Sequence, residues 1–290
     1  MDWFWFALIS AAFISIETII EKEILKKEHA LQFSSVVTIS VVVLSLVFLP
    51  YLNFDNLSLT QLLLIYLNSW LGAVAFLLVS RAIRHMEVST VSPFLSFGPI
   101  FVLIFSLLFL KEHITNMHLF GIFLVVFGAY VLQSKENDYF APIRAIIKSK
   151  YIHFIFIALI LNGFSATLDR YFLKDGFLLD SVSYLFLMSI FLAINYSILI
   201  TVLHGGFKEI NKGFKISGFL ILIMAALIIM GRLALFQAFT QTSAFLVEPI
   251  KRTSVLFVVL FGGALFHEKH IFKKFIASLI MLAGVYLIII

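Results

Sequence analysis

An acid, a proline and two bases lie together in a part of the sequence that is otherwise apolar. The segment reads Glu248-Pro249-Ile250-Lys251-Arg252 and comes just before a long apolar run. Two adjacent bases beside a helix that opens after the proline would suit a carboxylate or phosphate, because free backbone N–H groups would add to their charge. In a helix, however, Glu248 lies one turn from both bases and could simply neutralise one of them. Both interpretations stay open on the sequence alone.

Four further polar side chains interrupt apolar runs elsewhere in the chain. Arg232 could bind a second oxygen of an anion, or it could neutralise an acid in another helix. Glu17 could bind and release a proton, or it could pair with Arg232. Asn68 and Asn162 are candidates for lining a pocket, although such amides more commonly bridge neighbouring helices.

The sequence lacks the motifs of several other kinds of functional site. The chain has no cysteine, which excludes disulfides, thiolate metal sites and a cysteine nucleophile. His267-Glu268-Lys269-His270 lacks the His-Glu-x-x-His spacing of a helical zinc site. There is no glycine-rich phosphate loop and no nucleophile elbow. We therefore expect no metal, no cofactor and no catalytic residues, and we do not expect an enzyme.

The composition indicates that the surrounding solvent is lipid. Of 290 residues, 62% are apolar and 13% are charged, whereas soluble chains have roughly 45–50% and about 25%. The net charge of +5 comes from Lys and Arg scattered between the apolar runs. That distribution suits loops at an anionic membrane surface and argues against nucleic acid as a partner.

Ten apolar runs are long enough, or nearly long enough, to cross the roughly 30 Å hydrocarbon layer as helices. They cover residues 3–21, 33–54, 61–84, 89–110, 117–133, 152–172, 180–203, 216–239, 245–266 and 273–290. Because backbone groups in lipid must be satisfied within a segment, runs without two-residue alternation favour helices over barrel strands. The sequence therefore predicts an all-α integral membrane protein with ten transmembrane helices.

The two halves of the chain repeat each other. A shift of 156 residues aligns 81–130 with 237–286, and it superposes Pro93 on Pro249 and Gly128 on Gly284. Each half holds five helices, an odd number, so the two halves must be inverted relative to each other, as in many secondary transporters. We predict a first repeat over 1–133, a linker over 134–150 and a second repeat over 151–290.

Comparison of the two repeats distinguishes residues of the shared scaffold from residues of the candidate site. Pro93 and Pro249 match each other, so they belong to both halves and are predicted hinges. Glu248, Lys251 and Arg252 have only uncharged residues opposite them in the first half. Their charge is therefore specific to the second half, which favours a role in binding.

These motifs resemble the EamA family of the drug/metabolite transporter superfamily. The features that carry the resemblance are a proline opening helices 4 and 9, a glutamate closing each of them (Glu112 and Glu268), and a Gly-x-Tyr near the end of helices 5 and 10. The resemblance implies a ten-helix, two-repeat carrier of small solutes with a central cavity. The Lys251-Arg252 pair is also similar to that of the plastid phosphate translocators in the same superfamily, where the pair holds the substrate phosphate.

The expected function is secondary transport of a small anionic or phosphate- or carboxylate-bearing metabolite by alternating access. Lys251 and Arg252 would hold the anionic group, Arg232 would assist, and Asn68 and Asn162 would shape the pocket. One alternative is an exporter of cationic or neutral compounds in which Glu17 and Glu248 bind the solute. Another is a membrane enzyme or lipid-handling protein. The expected partners are the solute and the bilayer, with the chain either a monomer or a homodimer.

The orientation in the membrane stays open. Fifteen Lys and Arg residues lie in the predicted loops of one side or at the helix ends beside them. The other side, which holds both termini, has three: Lys111, Arg170 and Lys174. The positive-inside rule then places both termini outside, whereas the family usually has both in the cytoplasm. We expect a multi-pass protein of the plasma (inner) membrane.

Overall fold

The structure is a computed structural model that describes residues 2–55, 57–86, 94–133, 149–174, 179–257 and 271–290. Ten α-helices and no strand lie within these residues. In chain order they are α1 Asp2–Leu25, α2 Ala30–Ser45, α3 Leu59–His85, α4 Gly98–Phe105, α5 Asn116–Gln133, α6 Lys150–Leu173, α7 Ser181–His204, α8 Phe207–Gln241, α9 Ala244–Arg252 and α10 Ile271–Ile289. A 3₁₀ segment, Leu46–Tyr51, extends α2, and a π-helical turn, Ser106–Leu110, extends α4. The all-α architecture with ten helices is confirmed.

Six of these helices are long and apolar enough to cross a membrane: α1, α2 with its 3₁₀ extension, α3, α6, α7 and α8. The apolar stretches of α4, α5 and α10 are shorter. Large apolar side chains face outwards, as on α5, where Phe120, Phe123 and Phe127 share one exposed face. Such a surface is stable in lipid and would be costly in water.

Local sequence sets the helix ends. Ser58 and Gln61 form a capping box at the start of α3, each side chain bonding the backbone N–H of the other. The carboxylate of Asp180 accepts hydrogen bonds from the N–H groups of Val182 and Ser183, the second and third residues of α7. The helix ends at Gly205, whose φ of 88° suits a glycine.

Helix packing follows the inverted repeat. Under a five-helix shift, α1 corresponds to α6, α2 to α7, α3 to α8, α4 to α9 and α5 to α10. Accordingly, α1 packs on α8 as α6 packs on α3, and α4 packs on α6 as α9 packs on α1. The equivalent pairs α2–α7, α4–α9 and α5–α10 pack on each other. Because ten helices, an even number, lie between Asp2 and Ile290, these two residues fall on one side of the bundle, here called the terminal side.

The contact between α5 and α10 depends on glycines. A Cβ atom added to Gly121 would lie 2.7 Å from the carbonyl oxygen of Gly284, and one added to Gly128 would lie 2.6 Å from Met281 Cγ. The missing side chains therefore allow α5 and α10 to approach closely. At Gly72, by contrast, the nearest atom to an added Cβ is Ser165 Oγ at 4.0 Å, which is an ordinary contact.

The fourth and ninth helices are interrupted at equivalent positions, which the continuous apolar runs did not predict. Before α4 the chain makes a turn at 96–97, and after α9 it makes a turn at Thr253 before helix resumes at 254–257. Pro99 has no N–H to donate to the carbonyl of Leu95, which explains the first interruption. At the second, Thr253 Oγ1 donates to the carbonyl oxygen of Ile250 at 2.7 Å.

Candidate functional site

A cavity of about 360 Å³ lies between the two repeats. Every helix except α5 and α10 contributes residues to its wall. Its charged lining consists of the acids Glu17, Glu21, Asp169 and Glu248 and the bases Arg232, Lys251 and Arg252. A pocket of this size, apolar over much of its wall and with a few convergent polar groups, is the usual form of a small-molecule site.

Lys251 is paired within its own helix. Its Nζ donates to Glu248 Oε1, and the two side chains are 20% and 4% exposed. Contrary to the expectation of a helix start beside these bases, α9 begins at Ala244 and Lys251 lies in its last turn. The negative end of the helix dipole therefore adds to the stabilisation of this lysine by Glu248.

Arg252 extends from the end of α9 to the start of α4. A Cβ atom added to Gly98 would lie 2.6 Å from Arg252 Nη2, so the guanidinium sits directly on the backbone there. Its Nε is buried and has no hydrogen-bond partner in the described part of the chain. The guanidinium and the positive end of the α4 dipole thus meet at one point on the cavity wall.

Arg232 lies on α8, where the preceding residue is Gly231. A Cβ atom added to Gly231 would lie 3.0 Å from Glu17 Oε1, so the missing side chain allows this carboxylate to approach α8. Arg232, Glu17 and Asp169 line the same cavity. No ion pair of 4.0 Å or less joins Arg232 to a carboxylate among the residues described.

Asp169 is held by neutral donors. Its Oδ1 accepts hydrogen bonds from Tyr184 Oη at 2.6 Å and from Asn68 Nδ2 at 2.7 Å. Asn68 also donates to Tyr184 Oη at 3.1 Å. Asn68 is fully buried and does not line the cavity, so it orients a lining carboxylate from behind the wall.

The cavity brings together six of the seven predicted solute-binding residues. Glu17, Asn162, Arg232, Glu248, Lys251 and Arg252 line it, and Asn68 does not. Pro249 is buried inside α9, and Pro93 lies outside the described residues.

Two acids that line the cavity, Glu21 and Asp169, were not among the site residues predicted from the sequence. Glu21 accepts a hydrogen bond from Ser80 Oγ at 3.0 Å. The two acids occupy matching positions when the first helices of the halves are aligned with a shift of 148 residues. That match was the signal that could have identified them.

One further carboxylate is buried away from the cavity. Glu28 lies in the turn between α1 and α2, is 1% exposed and faces Gly213 of α8. Burial raises the pKa of Glu28.

The chain matches the model of a known protein family over most of its length. The model of the EamA-like transporter family matches residues 1–133 and 149–290. The chain belongs to the EamA-like transporter family. It is therefore a multi-pass integral membrane protein of a family whose members transport small solutes across the bilayer and are not enzymes.

Solved structures share the fold of this EamA-like protein. One crystal structure aligns with a TM-score of 0.72 and 8% sequence identity, over 98% of this chain and 94% of its own. In all, 28 solved chains match. No curated protein matches the sequence. At this identity the likeness concerns the fold alone.

Proposed function

We propose that this EamA-like protein is a secondary transporter that carries a small solute bearing a carboxylate or phosphate group, by alternating access through the cavity. The observation that supports the anionic group is the state of the three cavity bases. Lys251 is paired with Glu248. Arg232 and Arg252 line the same cavity without a carboxylate within 4.0 Å in the described residues.

Arginine suits this role for a geometric reason. Its planar guanidinium matches the two oxygens of a carboxylate or phosphate, and charge-assisted hydrogen bonds are roughly twice as strong as neutral ones. An anion at Arg252 would also face the first turn of α4 and would satisfy the unpartnered Nε. Lys251 would then be a second contact that leaves Glu248 when the solute arrives.

The helix interruptions support alternating access. Discontinuous helices at the boundary of inverted repeats are common in secondary transporters, where one repeat rocks against the other around a fixed site. The turn at Thr253 follows Pro249 by four residues and adjoins Arg252. A change of angle at this turn would move Arg252 relative to α4. Asn162, which lines the cavity, would shape the pocket.

A second candidate is transport of a cationic, zwitterionic or neutral compound. The observation that favours it is Asp169, which lines the cavity and, among the described residues, accepts its hydrogen bonds from the neutral side chains of Asn68 and Tyr184. Together with Glu17 and Glu21 it could hold an ammonium group. The charge of the solute separates this candidate from the first.

The deciding experiment is a thermal-shift screen of the purified protein against inorganic phosphate, dicarboxylates, amino acids and quaternary amines. We expect the anions to raise the melting temperature, since a ligand at one hundred times its Kd stabilises by about 2.7 kcal/mol. Arg232→Gln and Arg252→Gln should abolish the shift, and Arg81→Gln, at an exposed position of α3, should not. Stabilisation by amines alone, unchanged in both cavity variants, would refute the anionic assignment.

The location and orientation are proposals as well. We expect the plasma membrane, with the terminal side outside as the distribution of Lys and Arg favours. The accessibility of a tag at the chain end to an impermeant protease in intact cells would decide the orientation.

A further inference from the structure

On the terminal side of the cavity, one buried arginine joins the ends of two helices and the turn between two others. Arg170, near the end of α6, donates from Nη1 to the carbonyl oxygen of Phe239 near the end of α8, at 2.5 Å. Its Nε lies 3.5 Å from Glu112 Oε1, in the turn between α4 and α5. The two side chains are 6% and 11% exposed.

This cross-connection adjoins the cavity directly. Asp169, which precedes Arg170, and Phe239, whose carbonyl Arg170 binds, both line the cavity. Adjacent positions of a helix point about 100° apart. The end of α6 therefore directs Asp169 to the cavity and Arg170 to the Phe239 carbonyl and Glu112, so a rotation of this helix end would move both.

The ion pair is incompletely satisfied. Arg170 Nε and Glu112 Oε2 are buried and have no hydrogen-bond partner among the described residues. Glu112 follows Lys111, which adopts a left-handed backbone with φ of 51°, an unfavourable conformation for a residue with a side chain. An Arg–Glu pair that stays formed throughout the cycle would be expected to use two parallel N–H···O bonds. A buried pair with spare donors and acceptors instead gains little net stability, because loss of hydration offsets much of the attraction.

We propose that Arg170, Glu112 and the Phe239 carbonyl form a lock that closes the terminal side of the cavity in this conformation and opens once in each transport cycle. The proposal rests on the alternating access proposed above and adds to it the residues that hold one gate. The α6 end, the α4–α5 turn and the α8 end separate when the lock opens. Asp169 then links cavity occupancy to the lock through the same helix end.

The absence of native cysteine makes access to the cavity measurable. Ser165→Cys places one thiol on the cavity wall, where the serine is 7% exposed. The rate of its reaction with an impermeant maleimide would be measured from each side of oriented vesicles. Asp55→Cys on the terminal side and Lys26→Cys on the opposite side, both at exposed positions, report which side is reached.

We expect slow labelling of Ser165→Cys from the terminal side and a rise of about tenfold or more when Glu112→Gln is added, since loss of one partner of a buried pair strongly disfavours the closed state. Arg170→Lys should give a smaller rise, because one ammonium can bind the Phe239 carbonyl or Glu112 but not match both. Glu23→Gln is the matched control. It removes the acid of an exposed pair with Lys26 on the opposite side and should leave the rate unchanged.

An unchanged terminal-side rate in folded Glu112→Gln protein would overturn the lock. If that variant does not fold, an unchanged rate in Arg170→Lys would do the same. No solute is present in the assay, so its outcome is independent of the solute's charge. Failure of the anion screen would leave the labelling result intact, and the two proposals can fail separately.

Discussion

Replacement of Gly98 by alanine tests the assignment of Arg252 as an anion-binding residue. The added Cβ would lie 2.6 Å from Arg252 Nη2 and 3.4 Å from its Cζ and Nε. Because ordinary contacts begin near 3.4 Å, the guanidinium must move by about 0.8 Å, at the scale where misplaced groups lose much of their effect. The guanidinium is the end of a flexible side chain, so the fold should accommodate the change.

The expected loss is one charge-assisted hydrogen bond, worth about 1.5–3 kcal/mol, or about tenfold to a hundredfold in Kd. The assay is titration of purified protein with the best-binding anion from the thermal-shift screen. Gly218→Ala is a matched control, because its Cβ would meet only Phe214 Cδ1 at 3.7 Å. Gly72→Ala is a second control on the cavity wall itself, with Ser165 Oγ at 4.0 Å.

Two results would refute this reasoning. If folded Gly98→Ala protein binds the anion as tightly as the wild type, Arg252 does not contact it. If Gly72→Ala weakens binding as much as Gly98→Ala does, the effect comes from any added bulk in the cavity and not from displacement of the guanidinium.

Two further predictions concern stability. Glu248→Gln leaves Lys251, whose side chain is 20% exposed, without its charged partner and should lower the free energy of unfolding by as much as about 3 kcal/mol. Glu209→Gln, which removes the acid of a more exposed pair with Lys212, should cost less than about 1 kcal/mol. Similar melting temperatures for both variants would contradict this. Because the pKa of Glu28 is raised, the native state holds its proton at pH values where the unfolded chain, with a pKa of about 4.3, has lost it. Wild-type stability should therefore fall as pH rises from about 4.3 through the raised pKa, and Glu28→Gln should flatten this fall in melting scans at increasing pH. Parallel curves for the two proteins would show that Glu28 does not titrate in this way.

Much of the fold could be predicted because lipid imposes simple rules on sequence. Apolar runs without two-residue alternation gave the helices, and an odd number per half required the inversion. The interruptions of the fourth and ninth helices escaped prediction, since Gly98-Pro99 and Thr253 stand inside runs whose apolar character continues past them. The hydropathy of a segment does not depend on whether a residue lacks an N–H, as Pro99 does, or bonds a carbonyl of the preceding turn, as Thr253 does.

The candidate site was predicted only in part, for reasons of helix rotation. Asn68 and Asn162 both interrupt apolar runs, but helices that are apolar on all sides do not reveal which face meets the cavity. Glu21 and Asp169 stand beside bases at the ends of their runs, the usual pattern of a loop. Arg170 was counted as a loop base for the same reason, whereas the structure buries it between α6, α8 and the α4–α5 turn.

The interruption before α4 has a consequence for how specificity in this protein can be studied. Leu95 and Gly98 line the cavity at the point where Pro99 cannot supply the hydrogen bond of a continuous helix. Main-chain groups are present at this point whatever side chains the positions carry. Alanine scanning would leave any solute contact with them in place, and the residues it identified would account for only part of the recognition surface. Amide-to-ester substitution along this stretch would expose the remaining part.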